Sequence, residues 1–382
     1  MKTNRRELPS AVKTHEGGLG ATLKPLAELE RTIASCLLFE NMFYESGNAI
    51  ADRIVALCEK VTAEEIAALA LKARTVYKLR HVPLFLVRHL ARLHRGKVVG
   101  EAIAQVIQRP DELAEFLALY WREQRQPLSA QVKKGLASAF QTFGEYSLSK
   151  WDKEDRAVKL RDVLFLTHPK PVSEEQAALW KKLAAGELAP ADTWEVALSA
   201  TKDKKVAWER LLSEKKLGDM ALLMNLRNLV DAKVERPLVL EALNRGRFTR
   251  ILPFRFISAT QHAPEFEVAL EAAMLRAFTE EEKLLGGKTL LVIDVSGSMQ
   301  AELSGRSKMD RIDAACGLAI LLREVATDTT IYATAGNDST RIHATGLMPG
   351  RRGFALRDSI RQAAERLGGG GIFLVQCIDY IA

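Results

Sequence analysis

The 382-residue chain has four cysteines, Cys36, Cys58, Cys316 and Cys377, and no Cys-x-x-Cys pair. That scarcity argues against a disulfide framework and against a cysteine zinc site. Three of the four stand in helix-like apolar stretches, where a thiol serves as a small core residue. No run reaches the roughly eighteen consecutive apolar residues of a membrane span. The N-terminal stretch MKTNRRELPSAVKTHEGG is basic but lacks the apolar core of a secretory signal. A cytoplasmic protein without membrane contact is expected. No Ser/His/Asp or Cys/His order carries a recognisable catalytic motif. The glycines at 368–371 lack the Gly-Lys-Ser/Thr of a phosphate loop and read as a flexible loop before a helix. An enzyme is not expected.

Acidic residues are missing from two long stretches. Between Glu65 and Glu101 there are none, while Lys72, Arg74, Lys78, Arg80, Arg88, Arg92, Arg95 and Lys97 accumulate beside His81, His89 and His94. Arg88, Arg92 and Arg95 fall at the spacing of one helix face. Such a patch fits a phosphate footprint, or a face paired with acids from a neighbouring helix. The second stretch, 243–264, interleaves Arg245, Arg247, Arg250 and Arg255 with Phe248, Phe254 and Phe256. Arginines beside aromatics suit phosphate contact and base stacking; aromatics in a core with arginines outside is the other reading. The net charge of +7 agrees with a polyanionic partner without requiring one.

What is present in abundance is amphipathic helix. From about Leu26 to about Phe278, segment after segment carries apolar residues at three- and four-residue spacing. Thr62 before AEE, Ser173 before EEQ, and Pro110-Asp111-Glu112 have the chemistry of helix starts. A long series of short helices predicts helix pairs stacked as an irregular, HEAT-like α-solenoid. Asn225-Leu226-Arg227-Asn228 sits on an otherwise apolar helix, as a polar site on a cavity or as a hydrogen-bond network. Residues 150–171 mix Lys150, Lys153, Arg156, Lys159, Arg161, His168 and Lys170 with four acids.

The pattern changes near Gly286. Residues 290–295, apolar except for Asp294, read as a buried parallel strand feeding a small polar turn. A helix at 311–325, a strand at 329–335 and a helix at 357–367 complete a strand–helix–strand–helix order, which predicts a doubly wound α/β sheet. Two domains follow, 1–285 and 286–382. Asp294, Ser296 and Ser298 form a D-x-S-x-S turn at the carboxyl end of the first strand. One carboxylate and two hydroxyls are hard oxygen donors of the kind Mg²⁺ takes.

This turn resembles the metal-ion-dependent adhesion site of von Willebrand factor A domains. In that family a threonine and an aspartate from two further loops complete the site. No threonine stands after the glycines at 368–371, and the third loop is not reached by residue 382. The resemblance therefore implies a partial A-like domain with an incomplete divalent-cation site.

As a whole the chain resembles the TROVE family, typified by the Ro ribonucleoprotein autoantigen and its bacterial relatives. The segments LLFENMFYESG, KARTVYKLRHVPLFLVRHLAR, VKLRDVLFLTHPKP and ALLMNLRNL carry the likeness, in order, ahead of DVSGS. The resemblance implies a mainly α fold, a solenoid closed toward a ring, followed by the A-like domain. It implies a non-catalytic, monomeric RNA-binding protein. Its partners would be a Y-like noncoding RNA on the basic outer surface, single-stranded 3′ ends of misfolded RNA in the ring, and an exoribonuclease joined through the RNA. His168 in LTHPKP corresponds to the family's RNA-contacting histidine, and Lys150 and Arg156 roughly match its basic contacts. The other expected RNA-binding residues are Arg74, Lys78, Arg80, His81, Arg88, Arg92, Lys159, Arg161, Lys170 and Arg227. A protein-interaction adaptor that captures a partner carboxylate through Mg²⁺ at Asp294 is the alternative.

Overall fold

The computed structural model describes residues 12–13, 19–20, 22–36, 38–39, 45–153, 155–249, 251–279, 285–303 and 309–382. Arg250, residues 40–44 of LLFENMFYESG and residues 282–284 at the expected domain junction lie outside the described residues. Packing divides the chain into two compact units, residues 1–191 and 192–382.

In the first unit β1 (Val12–Lys13) pairs antiparallel with β2 (Leu19–Gly20). Among the described residues the helices that follow are α1 (Pro25–Ala34), α2 (Gly47–Cys58), α3 (Ala63–Thr75), α4 (His81–Leu93), α5 (Lys97–Val106), α6 (Pro110–Tyr120), α7 (Ala130–Phe140), α8 (Glu145–Trp151), α9 (Leu160–Thr167) and α10 (Glu174–Ala185). Each helix packs on the next but one. One row runs α1, α3, α5, α7, α9 and the other α2, α4, α6, α8, α10. That two-row stacking is a solenoid, the arrangement in which short amphipathic helices cover one another's apolar stripes. Local chemistry sets the starts. Thr62 and Glu65 close a reciprocal capping box on α3, Ser173 caps α10, and Pro110 occupies the first turn of α6. The core between the rows holds Leu84, Leu86, Leu90, Phe116, Leu136 and Phe140. Within the first row, α7 crosses α5 at close range. A Cβ on Gly135 would stand 2.6 Å from the Gly100 carbonyl oxygen, so only glycine allows this crossing.

The second unit contains α11 (Trp194–Ser199), α12 (Lys204–Ser213), α13 (Asp219–Asp231), α14 (Arg236–Arg245), α15 (Pro253–His262), α16 (Glu267–Thr279), β3 (Leu285–Asp294), α17 (Arg311–Val325), β4 (Ala326–Asn337), β5 (Ile342–Leu347), α18 (Gly353–Arg366) and α19 (Leu374–Ile381). β3 runs parallel to β4, with Asp294 opposite Thr334, and β4 runs antiparallel to β5. The sheet is therefore mixed, because a hairpin follows β4 where the sequence pattern showed only strand and helix. The next-but-one rule continues here: α12, α14, α16 and α18 stack in one row, α13, α15 and α17 in another. Thus α17 and α18, which flank the sheet, also extend the helical rows. One core joins Leu226, Phe256, Ile257 and Leu270 of the helices to Ile293, Ile331 and Ala333 of the sheet. The fold class is as expected: mainly α, a helical solenoid followed by a small, partial α/β element.

Candidate nucleic-acid interface

The acid-free stretch 66–100 does not form a one-sign surface. α6 packs beside α4 and supplies the missing acids. Arg74, on α3, is buried, and its Nη2 donates to both oxygens of Glu112 at 2.7 and 2.9 Å. Glu112 is fully buried and also accepts the backbone N–H groups of Gln108 and Arg109. Arg80 donates to Asp111 at 2.5 Å and to Glu115 at 2.6 Å. His81 is exposed, 3.8 Å from Glu115. Arg88 is 3% exposed, with Nη2 2.7 Å from Glu123 and Nη1 against the His89 ring. Arg92 donates to the Tyr120 carbonyl and lies over the Tyr120 ring, 4.9 Å from its centre. The expectation that Arg74 and Arg88 present charge to RNA is corrected: both are interior groups neutralised by carboxylates. Of the residues expected in this stretch, Lys78 and His81 are the exposed ones. Lys78 holds a left-handed backbone with φ 57° and turns its ammonium to the Thr75 carbonyl.

His89 is buried beside Arg88. Burial, reinforced by the neighbouring guanidinium, pushes its imidazole down to about 4.

The segment from α8 to α10 is more open. Lys150 lies 5.6 Å from the centre of the Trp151 ring, which also carries Arg109 at 4.0 Å. Arg156 is half-buried, 3.6 Å from Glu115. Lys159 and Arg161 are half-buried and each has a partner within the fold. His168 ends α9 in the left-handed conformation, φ 47° and ψ 54°, with its backbone N–H donating to the Leu164 carbonyl and its ring exposed. Lys153 and Lys170 are exposed. Phe165, one turn before His168, is 57% exposed. Sequence reasoning passed over Phe165, although the helix phase marks it. Leu160, Val163 and Thr167 form the buried face of α9, and Phe165 falls off that face. A solvent-facing corner thus combines an aromatic ring, an imidazole and a lysine.

In α13, Asn225 is buried and donates to the Ala221 carbonyl, while Asn228 donates to Asn225 at 2.8 Å. Arg227 points outward, 3.7 Å from Asp231. In the second acid-free stretch Phe248 and Phe256 are fully buried, edge to face at 5.4 Å. They are core residues and offer no stacking surface.

At the end of β3 the Asp294 Oδ1 accepts the Ser296 N–H at 2.8 Å, and the Ser296 and Ser298 hydroxyls lie 3.3 Å apart. Ser296 is buried. The glycine loop closes over this turn, with the Gly297 N–H donating to the Gly369 carbonyl at 3.2 Å. Thr334, opposite Asp294, is buried and hydrogen-bonded to Thr345. No group of three His, Cys, Asp or Glu side chains suited to a metal occurs among the described residues. Mg²⁺ demands six oxygens in near-octahedral array. One carboxylate and two hydroxyls supply at most three of the six, and water or another carboxylate would have to supply the rest.

All four cysteines are buried, and burial pushes the Cys58 and Cys316 thiols up to about 12. No described helix is long and apolar enough to cross a membrane.

Comparison with known proteins places these features. Residues 173–343 match the family model of the TROVE domain. The match begins at the cap of α10 and ends on the second residue of β5. Of the expected RNA-contacting residues only Arg227 falls inside it. No curated protein matches the chain. Among solved structures, the chain is similar to the Ro (RSR) protein of Deinococcus radiodurans, with a TM-score of 0.59 and 19% identity over 91% of this chain and 81% of that one. Residues 173–343 thus match the TROVE domain, in a chain whose fold is similar to that of the Deinococcus Ro protein.

Proposed function

We propose that the chain is the RNA-binding scaffold of a small ribonucleoprotein. It holds a Y-like noncoding RNA on basic surface and takes single-stranded 3′ ends of misfolded RNA, serving RNA quality control or decay in the cytoplasm. An exoribonuclease is joined to it through the RNA. The helical part, 1–285, does the binding as a monomer; the A-like part, 286–382, contributes architecture.

The observation that carries this reading is the exposed corner of Phe165, His168 and Lys170. Lysine and the protonated form of histidine meet phosphate, and an exposed ring stacks on an unpaired base. The TROVE match and the Ro-like fold support it. The buried arginines of α3 and α4 act by holding that framework, and the affinity falls to the groups left in solvent.

Sequencing of RNA that copurifies with the protein tests the reading. One structured small RNA with duplex and loop parts is expected; nothing above background would overturn it. In gel-shift titrations the triple change Lys153→Glu, His168→Ala, Lys170→Glu should weaken binding of that RNA by about tenfold or more, with a shallower salt dependence.

A further inference from the structure

The second unit holds a cavity lined by its own helices. It is an open cleft of about 1040 Å³ between α11, the start of α12 and the end of α13. Its apolar wall is built from Trp194, Trp208 and Leu198. Trp208 is buried, and Trp194 stacks on it, ring centres 5.9 Å apart and planes 18° off parallel. The stack fixes the indole of Trp194, which stays half-exposed on the cleft.

The polar lining divides by partner. Asp203 caps α12, accepting the Val206 N–H; Asp231 faces Arg227; Lys205 is held by Glu235 at 2.7 Å. Lys202 and Lys204 are exposed and form no ion pair with a described residue, against Glu195 as the one lining acid left over. Asn228 gives its amide N–H to Asn225, which leaves its Oδ1 as an acceptor on the cleft.

A fixed indole, two free ammonium groups and a lone amide acceptor are the parts of a nucleotide site. The ring takes a base face, the lysines take phosphate, and the acceptor takes an exocyclic amine. The dimensions are those of ordinary ligand pockets. We propose that this cleft binds an unpaired ribonucleotide within a single-stranded segment, with its base on Trp194 and its phosphate on Lys202 and Lys204. The proposal rests on the RNA-binding reading above and adds a second, separate site to it.

The test uses the full chain and two probes, a fluorescein-labelled oligoadenylate decamer and a structured hairpin RNA. The variant Lys202→Glu/Lys204→Glu changes exposed side chains only, and an acid at the first position of α12 suits the helix end, so folding is preserved. The double variant should weaken decamer binding at least about tenfold while moving hairpin binding less than about twofold. Photocrosslinking of the decamer should label the peptide that holds Trp194. Unchanged decamer affinity, or crosslinks confined to the α9–α10 corner, would overturn the cleft and leave the scaffold reading standing. A hairpin bound without any decamer binding would do the same. A wild-type chain that binds neither probe would overturn both.

Discussion

Arg74 reaches from α3 into the interior and sets one guanidinium nitrogen between the two carboxylate oxygens of Glu112, at 2.7 and 2.9 Å. The second nitrogen donates to the Leu79 carbonyl at 3.1 Å. The pair ties α3, the α3–α4 turn and α6 together. Removing one partner of a buried pair leaves an uncompensated charge, which costs about 3–5 kcal/mol. Arg74→Ala should therefore lower stability by that order in urea titrations. The double change Arg74→Met/Glu112→Met should recover much of the loss. A single variant as stable as the wild type would show that the pair carries little.

Charge reversal separates framework from surface. Arg88→Glu places an acid against Glu123 in a pocket where Arg88 is 3% exposed. It should lower the melting temperature sharply, and RNA binding should fall only in proportion to folded protein. Lys170→Glu, at an exposed site, should leave melting within about 0.5 kcal/mol of wild type and weaken RNA binding directly. Parallel melting and gel-shift curves distinguish the two outcomes.

His89 makes the fold sensitive to acid. Its folded value is depressed to about 4 from an ordinary 6.5. Above pH 6.5 the ring is neutral in both states and its burial is fully tolerated. As pH falls from 6.5 toward 4 the unfolded chain takes up a proton that the folded chain refuses. Stability is lost across that window, by about 3 kcal/mol at most, and then levels off. His89→Gln should flatten this part of the stability–pH curve; an unchanged slope would assign it to other groups.

The α5–α7 crossing should tolerate no side chain. Gly135→Val forces atoms against the Gly100 backbone, and overpacking of this kind costs about 1–3 kcal/mol. Differential scanning calorimetry should show a lower melting temperature, whereas the same change at Gly144, where an added Cβ meets nothing, should cost less.

Much of the fold was legible in the sequence because short amphipathic helices advertise themselves. Thr62 and Ser173 cap where their chemistry placed them, and α17 occupies 311–325 as its periodicity required. The β4–β5 hairpin was missed because its second strand, IHATGL, has little apolar alternation. The candidate site was less legible. Arg88 and Lys170 look alike in a sequence, and only the position of Glu123 and α6 decides which of them meets solvent. Charge counted along the chain says nothing of charge paired across helices thirty residues apart.

The two helical rows of the second unit run without interruption into α17 and α18, which means that the sheet has no hydrophobic core of its own. Secondary structure changes character at β3, but solvent exclusion does not. A fragment that began at residue 286 would bare the faces of α17 and α18 that α15 and α16 cover. Amide hydrogens of α15, α17 and β4 should accordingly exchange together, as one cooperative unit, and a truncation meant to isolate the sheet would keep its solubility only if it began near residue 192.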